Sequence, residues 1–122
     1  MILTARSNSK ELLSAGQYIT KISKIAETTA KANDLYNDVT PQIEITFETD
    51  KGFIRHWFNL KGFAKDDNGN YKVDKKGNRI EDPKNTSDAI AILDRLALHC
   101  GFPENTQVNL NDLLNMEVGI TV

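Results

Sequence analysis

Apolar and polar residues alternate most cleanly in PQIEITFETDKG, where Ile43, Ile45 and Phe47 interleave with Gln42, Glu44, Thr46 and Glu48. A period of two marks a half-buried β-strand, because successive side chains leave opposite faces. Asp50, Lys51 and Gly52 then read as a turn, and FIRHWFNL (53–60) as the returning antiparallel partner. Ile54, His56, Phe58 and Leu60 form a core face on this second strand, whereas Phe53, Arg55, Trp57 and Asn59 share the opposite face and are predicted to look outward. Upstream, QYITKISKIAETTA from Gln17 is rich in Thr and Ile, which favours strand over helix. Tyr18, Thr20 and Ile22 share one face there while Ile25 falls on the other, so a β-bulge is predicted between them.

The remaining segments are set by punctuation. NSKELLSA (8–15) predicts a short helical turn with Asn8 or Ser9 as cap and Leu12 and Leu13 packed inward, ended by Gly16. KANDLYNDVTP (31–41) is a loop. Two turn signals, DDNG (66–69) and DKKG (74–77), bracket Tyr71, Lys72 and Val73 and predict a protruding β-hairpin with Gly77 in the left-handed region, ended by Asp82 and Pro83. SDAIAILDRLALHCG (87–101) is the expected helix, capped by Thr86 or Ser87, with Asp88 in its first turn. Ile92, Leu93, Leu96, Ala97 and Cys100 form its stripe, and Gly101, Phe102 and Pro103 form its stop. A helical turn at NLNDLLNM leads into EVGITV, whose Val118, Ile120 and Val122 alternate as a last strand. The order is strand, strand, strand, helix, strand: a mainly β, α+β chain.

At 122 residues the chain suits one domain, residues 1–122, and 39% apolar with 26% charged residues is the balance of a folding globular protein. No apolar run approaches the roughly 20 residues a membrane helix needs, and MILTARSNSKELL lacks the apolar centre of a signal peptide. The expected setting is the cytoplasm, and the lone Cys100 fits a reducing compartment. A formal net charge of -2 argues against holding duplex nucleic acid by bulk positive charge, but leaves room for a local basic groove.

Catalytic and metal chemistry find little support. His56 and His99 lie in no nucleophile or metal motif, and a satisfied rim histidine and a helix-end histidine account for them. DDNGNYKVDKKG resembles a calcium loop until Tyr71 falls where glycine is required and Gly77 where glutamate is required. No phosphate-cradling glycine loop is present, and Cys100 reads as a core residue. No cofactor is predicted. What remains is FIRHWFNL, which holds the only tryptophan. Bases stack on flat side chains while neighbouring cations meet phosphates, and Phe53, Arg55 and Trp57 are such a set, with Lys61, Phe63, Lys65, Tyr71 and Lys72 continuing it. Lys21 and Lys24 on the first long strand are second-rank candidates. The alternative use of the same residues is packing, with Arg55 paired to Glu44 or Glu48.

The element order is that of the oligonucleotide-binding (OB) barrel, with one helix between the third and fourth strands. The chain resembles a family of small phage proteins akin to single-stranded-DNA-binding proteins, encoded near replication and recombination genes. Gly16 and Tyr18, the Ile43, Ile45 and Phe47 alternation, Trp57 with Asn59, the Gly101–Phe102 stop and LLNMEVGITV (113–122) carry the likeness. It implies a single OB-like β-barrel, no enzymatic activity, and single-stranded DNA as partner. A five-stranded barrel then needs a further strand, from MILTAR at the N-terminus or from a second chain in a homodimer, or lacks it. LLNMEVGITV does not look like the acidic, flexible C-terminal tail by which bacterial single-strand binders recruit partners, so a recruiting role is not expected. The rival expectation is a small structural or adaptor protein that uses the same strand for protein contacts or dimerisation.

Overall fold

The computed structural model describes residues 11–122, with Glu11 described by its backbone alone. Five strands, β1 (Glu11–Leu12), β2 (Gln17–Ala30), β3 (Thr40–Glu48), β4 (Gly52–Asn59) and β5 (Glu117–Thr121), join in one sheet. Helix α1 (Pro83–His99) and a 3-10 turn (Leu110–Leu113) lie between β4 and β5. The sheet order is β1-β4-β3-β2-β5, with β1 parallel to β4 and the other neighbours antiparallel. Among the described residues no ladder joins β1 to β5.

The predicted bulge is present. Register passes from Ile22 opposite Phe47 to Lys24 opposite Thr46, leaving Ser23 as the extra residue. That one insertion turns Ile25 onto the same face as Ile22, where it meets Ile45. The bulge also bends β2, whose Lys21 pairs with Glu48 of β3 on one side and Glu117 of β5 on the other. Ile22, Ile43, Ile45, Phe47, Phe58 and Val118 from the strands close over Leu96 and Cys100 of α1 and Leu113 of the 3-10 turn. The period of two delivers Ile43, Ile45 and Phe47 of β3 to the core as expected; on the expected core face of β4, Phe58 is buried and Ile54 and Leu60 pack against the core, but His56 is exposed.

The segment expected to turn helically is instead extended where it is described. Glu11 and Leu12 align with Gly52 and Phe53, and Leu13 N–H donates to the Phe53 carbonyl at 2.9 Å. Leu12 is 69% exposed rather than packed inward, because the start of β4 offers an open edge to pair with. Residues 8–10 of that expected turn, and MILTAR as a source of a fifth strand, lie outside the described residues. Gly16 and Val122 exchange both backbone bonds, so residues 13–16 tie the β4 edge to the end of β5.

Helix α1 begins four residues before its predicted start. Asp82, not Thr86 or Ser87, is the cap, accepting from Lys84 N–H, and Pro83 is the first helical residue, where its missing N–H costs nothing. Thr86 is used elsewhere: its hydroxyl accepts from Gly62 N–H at 3.0 Å and bonds Glu81 at 3.1 Å. Leu96 and Cys100 of the predicted stripe are buried, but Ile92 stays 47% exposed. The glycine stop is present, with Gly101 at φ 99°.

Residues 62–82 form no simple hairpin. Three isolated bridges, Phe63–Glu81, Lys65–Tyr71 and Val73–Arg79, surround a ring of backbone bonds. Lys72 N–H donates to Ala64, Ala64 N–H to Ile80, and Ile80 N–H to Lys72, at 3.0, 2.9 and 3.0 Å. Two lobes of this unit are one repeated loop. Asp66 accepts from Asn68 and Asn70 N–H, and Asp74, eight residues on, accepts from Lys76 and Asn78 N–H. Gly69 and Gly77 take matching positive φ of 82° and 80°. The unit docks where Gly62 crosses the first turn of α1, so tightly that a Cβ at Gly62 would overlap the Asn85 backbone. Gly62→Ala is expected to destabilise the protein by about 1–3 kcal/mol. Urea denaturation checks this; an unchanged midpoint would mean the crossing can open freely.

Candidate nucleic-acid interface

Alternation puts one set of side chains on the sheet face away from the core, and register decides which of them become neighbours. Across β2, β3 and β4 the rows are Lys21–Glu48–Phe53, Lys24–Thr46–Arg55, Ala26–Glu44–Trp57 and Thr28–Gln42–Asn59. Five of the predicted residues, Phe53, Arg55, Trp57, Lys21 and Lys24, thus share one surface. Trp57 is 48% exposed, flanked in its row by the short Ala26 side chain beyond Glu44.

The same register brings carboxylates among the cations. Arg55 Nε lies 3.7 Å from Glu44 Oε1, and its guanidinium sits 4.9 Å from the centre of the Phe53 ring. Arg55 is therefore positioned as a shelf between ring and carboxylate, the packing alternative foreseen from the sequence. Lys21 stands between Glu48 and Glu117. The face is amphoteric, with an aromatic ridge, and is not a basic groove.

Lys61 and Lys65 lie off this face, in an adjoining cleft of about 680 Å3 lined also by Gln42, Asn59, Phe63, Tyr71 and Arg79. Gln42 and Asn59 belong to the row beside Trp57, so the cleft continues the aromatic surface. Gln42 Nε2 donates to Asn59 Oδ1 at 2.7 Å. Lys61 pairs with Glu81 at 3.8 Å, and the Lys65 amine sits 4.9 Å from the centre of the Tyr71 ring. Lys72 is in neither place; its backbone serves the hydrogen-bonded ring.

The residue that builds the cleft escaped sequence reasoning. Arg79 lines it from below, its side chain only 5% exposed. The guanidinium donates to Asp38 Oδ2 at 2.9 Å and to Thr40 Oγ1 at 3.0 Å, while Arg79 N–H donates to Asp38 Oδ1 at 2.8 Å. Phe63, Tyr71 and Tyr36 surround it, with ring centres 3.9, 5.0 and 5.3 Å away. Asp38 is held below the ordinary carboxylate range, first by the side-chain hydrogen bond from Arg79, against the opposing effect of burial. The available signal was the eight-residue spacing of Phe63, Tyr71 and Arg79, in phase with the repeated Asp-x-x-Gly-Asn loops.

No family model, curated protein or solved structure matches the chain. His56 packs edge-on against Phe58, ring centres 4.5 Å apart, at the rim of the core. Cys100 is buried, and burial raises its thiol pKa, which disfavours the nucleophilic thiolate. Among the described residues no cluster of three or more His, Cys, Asp or Glu is placed to hold a metal ion, and no helix is long and apolar enough to cross a membrane.

Proposed function

We propose that the β2–β4 face binds single-stranded DNA without catalysing a reaction, in the replication or recombination of a phage or mobile element. The observation that carries this reading is the register that sets the half-exposed Trp57 and the partly buried Phe53 on one face with Arg55, Lys21 and Lys24. Trp57 and Phe53 stack bases, and the cations meet phosphates. Lys61 and Lys65 extend the path into the cleft, while Lys72 lies outside both the face and the cleft. The OB-barrel reading is supported by the bent, shared β2, by the helix between β4 and β5, and by β1 as a short extra strand beside β4. In OB folds the face of the second and third strands is the usual oligonucleotide surface, and β3 and β4 hold that place here.

Titration with a short oligothymidine tests the proposal, since Trp57 is the only tryptophan and its emission reports stacking. Quenching is expected at low salt. Five phosphate-facing cations, Lys21, Lys24, Arg55, Lys61 and Lys65, predict a slope of about -3.5 in log K against log salt. Unchanged emission with no mobility shift would transfer the face to a second use. That use is a protein-docking surface, favoured by the Arg55–Glu44 pair and the alternation of Lys21 with Glu48 and Glu117.

A further inference from the structure

Strand β5 ends the sheet with an edge that nothing among the described residues covers. Gly16 and Val122 exchange two backbone bonds, and Ile22 N–H donates to Met116. In an antiparallel ladder the bonded residues alternate, so Val118 and Ile120 turn their peptide groups toward β2. Glu117, Gly119 and Thr121 therefore aim their N–H and C=O groups outward. An edge of this kind is a template for another strand, and proteins that avoid pairing blunt it with proline, bulges or lysines. EVGIT has no proline or lysine and no bulge against β2; Glu117, beside Lys21 within the chain, is its one charged residue.

We propose that β5 pairs with β5 of a second copy of this chain, antiparallel about a two-fold axis at Gly119. The proposal stands independently of the DNA reading. Three features of the edge suit a self-complementary partner. The outward peptide groups are spaced symmetrically about Gly119, so Glu117 meets the second copy's Thr121 and Gly119 meets its own mate. Glu117, the one charged side chain of β5, then faces a neutral partner and keeps Lys21 as its neighbour within the chain. Exposed isoleucines lie on both sides of the edge. Ile19, 72% exposed, lies opposite Gly119 on the outer face, and Ile92 of α1 lines a cleft with Ile120 and Thr121 on the inner side. The glycine leaves space over the axis into which both Ile19 side chains can lean. A partner with one charge pattern and a matching apolar rim is what the edge selects, and a second copy supplies both.

Sedimentation equilibrium on the full chain over a wide concentration range is expected to show a monomer–dimer equilibrium. Gly119→Asp and Gly119→Lys test the axis. A Cβ at this position has its nearest neighbour, Ile19 Cδ1, at 3.7 Å, so both variants are accommodated in the monomer. Each places like charges face to face across the axis and is expected to weaken the dimer at least about tenfold. An equimolar mixture is expected to restore it as the heterodimer. Amide hydrogen exchange of the wild type gives a second readout: Glu117, Gly119 and Thr121 become protected as concentration rises, while the amides facing β2 do not change. A wild type that stays monomeric, variants as dimeric as wild type, a mixture that fails to recover, or outward amides indifferent to concentration would each overturn the proposal.

Discussion

Arg79→Ala is expected to lower stability by about 2–4 kcal/mol, because it removes the buried cation of an ion pair and leaves the partly buried Asp38 carboxylate without its partner. Against the roughly 5–15 kcal/mol of a typical domain this is a large fraction. Asp38 would keep its carboxylate among Tyr36, Thr40 and the insert without a counter-ion, and three aromatic rings would lose the cation they pack around. Removing both Arg79 and Asp38 should cost less than the sum of the single losses, which a double-mutant cycle in urea measures directly. Exchange at the Ala64, Lys72 and Ile80 amides locates the damage, since these three close the ring of the insert. Damage confined there would speed those amides ahead of the β3 and β4 amides. The pair also predicts a pH dependence. Asp38 has a depressed pKa, so its contribution is complete above the unfolded carboxylate value of about 4 and is lost as the pH falls through its lower folded value. Wild type should therefore lose stability in that acid window, and Asp38→Asn should lose less of it there.

Trp57→Ala is expected to weaken oligothymidine binding by roughly 5- to 100-fold, the equivalent of about 1–3 kcal/mol for one stacked base. Stability should change far less, because the ring is half exposed and stands outside the buried cluster. Trp57→Phe should retain part of the affinity, since a smaller π face still stacks. The distinction from a packing role is sharp: loss of a packing tryptophan lowers the urea midpoint and leaves binding intact in whatever protein remains folded. Arg79→Ala bears on the same surface from another side. By loosening the insert it should remove the Lys61 and Lys65 contribution and shallow the salt dependence, while emission from Trp57 still responds to DNA.

The two experiments separate parts of the protein that differ in how far they can be read from the chain. The β3–β4 hairpin, the bulge after Ile22, the Gly101 stop and the alternation of β5 follow from short-range features. Period, turn chemistry and capping act within a few residues, and each leaves its trace in the local order of side chains. The faces of β4 were likewise legible, and with them the shared surface of Phe53, Arg55 and Trp57. The start of α1 was misplaced because Asp82 and Pro83 look like the end of a loop as much as the beginning of a helix. The difference lies in Thr86, which Gly62 and Glu81 engage from outside the helix.

By itself, then, the amino-acid order determined the long strands, most of their inward and outward faces, and the presence of a helix between the third and fourth of them. Only tertiary structure decided how the charges are shared. Arg55 meets Glu44 across a ladder, and Arg79 finds Asp38 from 41 residues away. Such partnerships depend on register and chain path, which bring distant residues within a few ångströms: Arg55 gains a surface partner, and Arg79 becomes a buried structural cation. The same cause closes the unit that carries the two DxxGN loops: its ring of hydrogen bonds exists only when Ala64, Lys72 and Ile80 converge, and no stretch of a few residues contains all three.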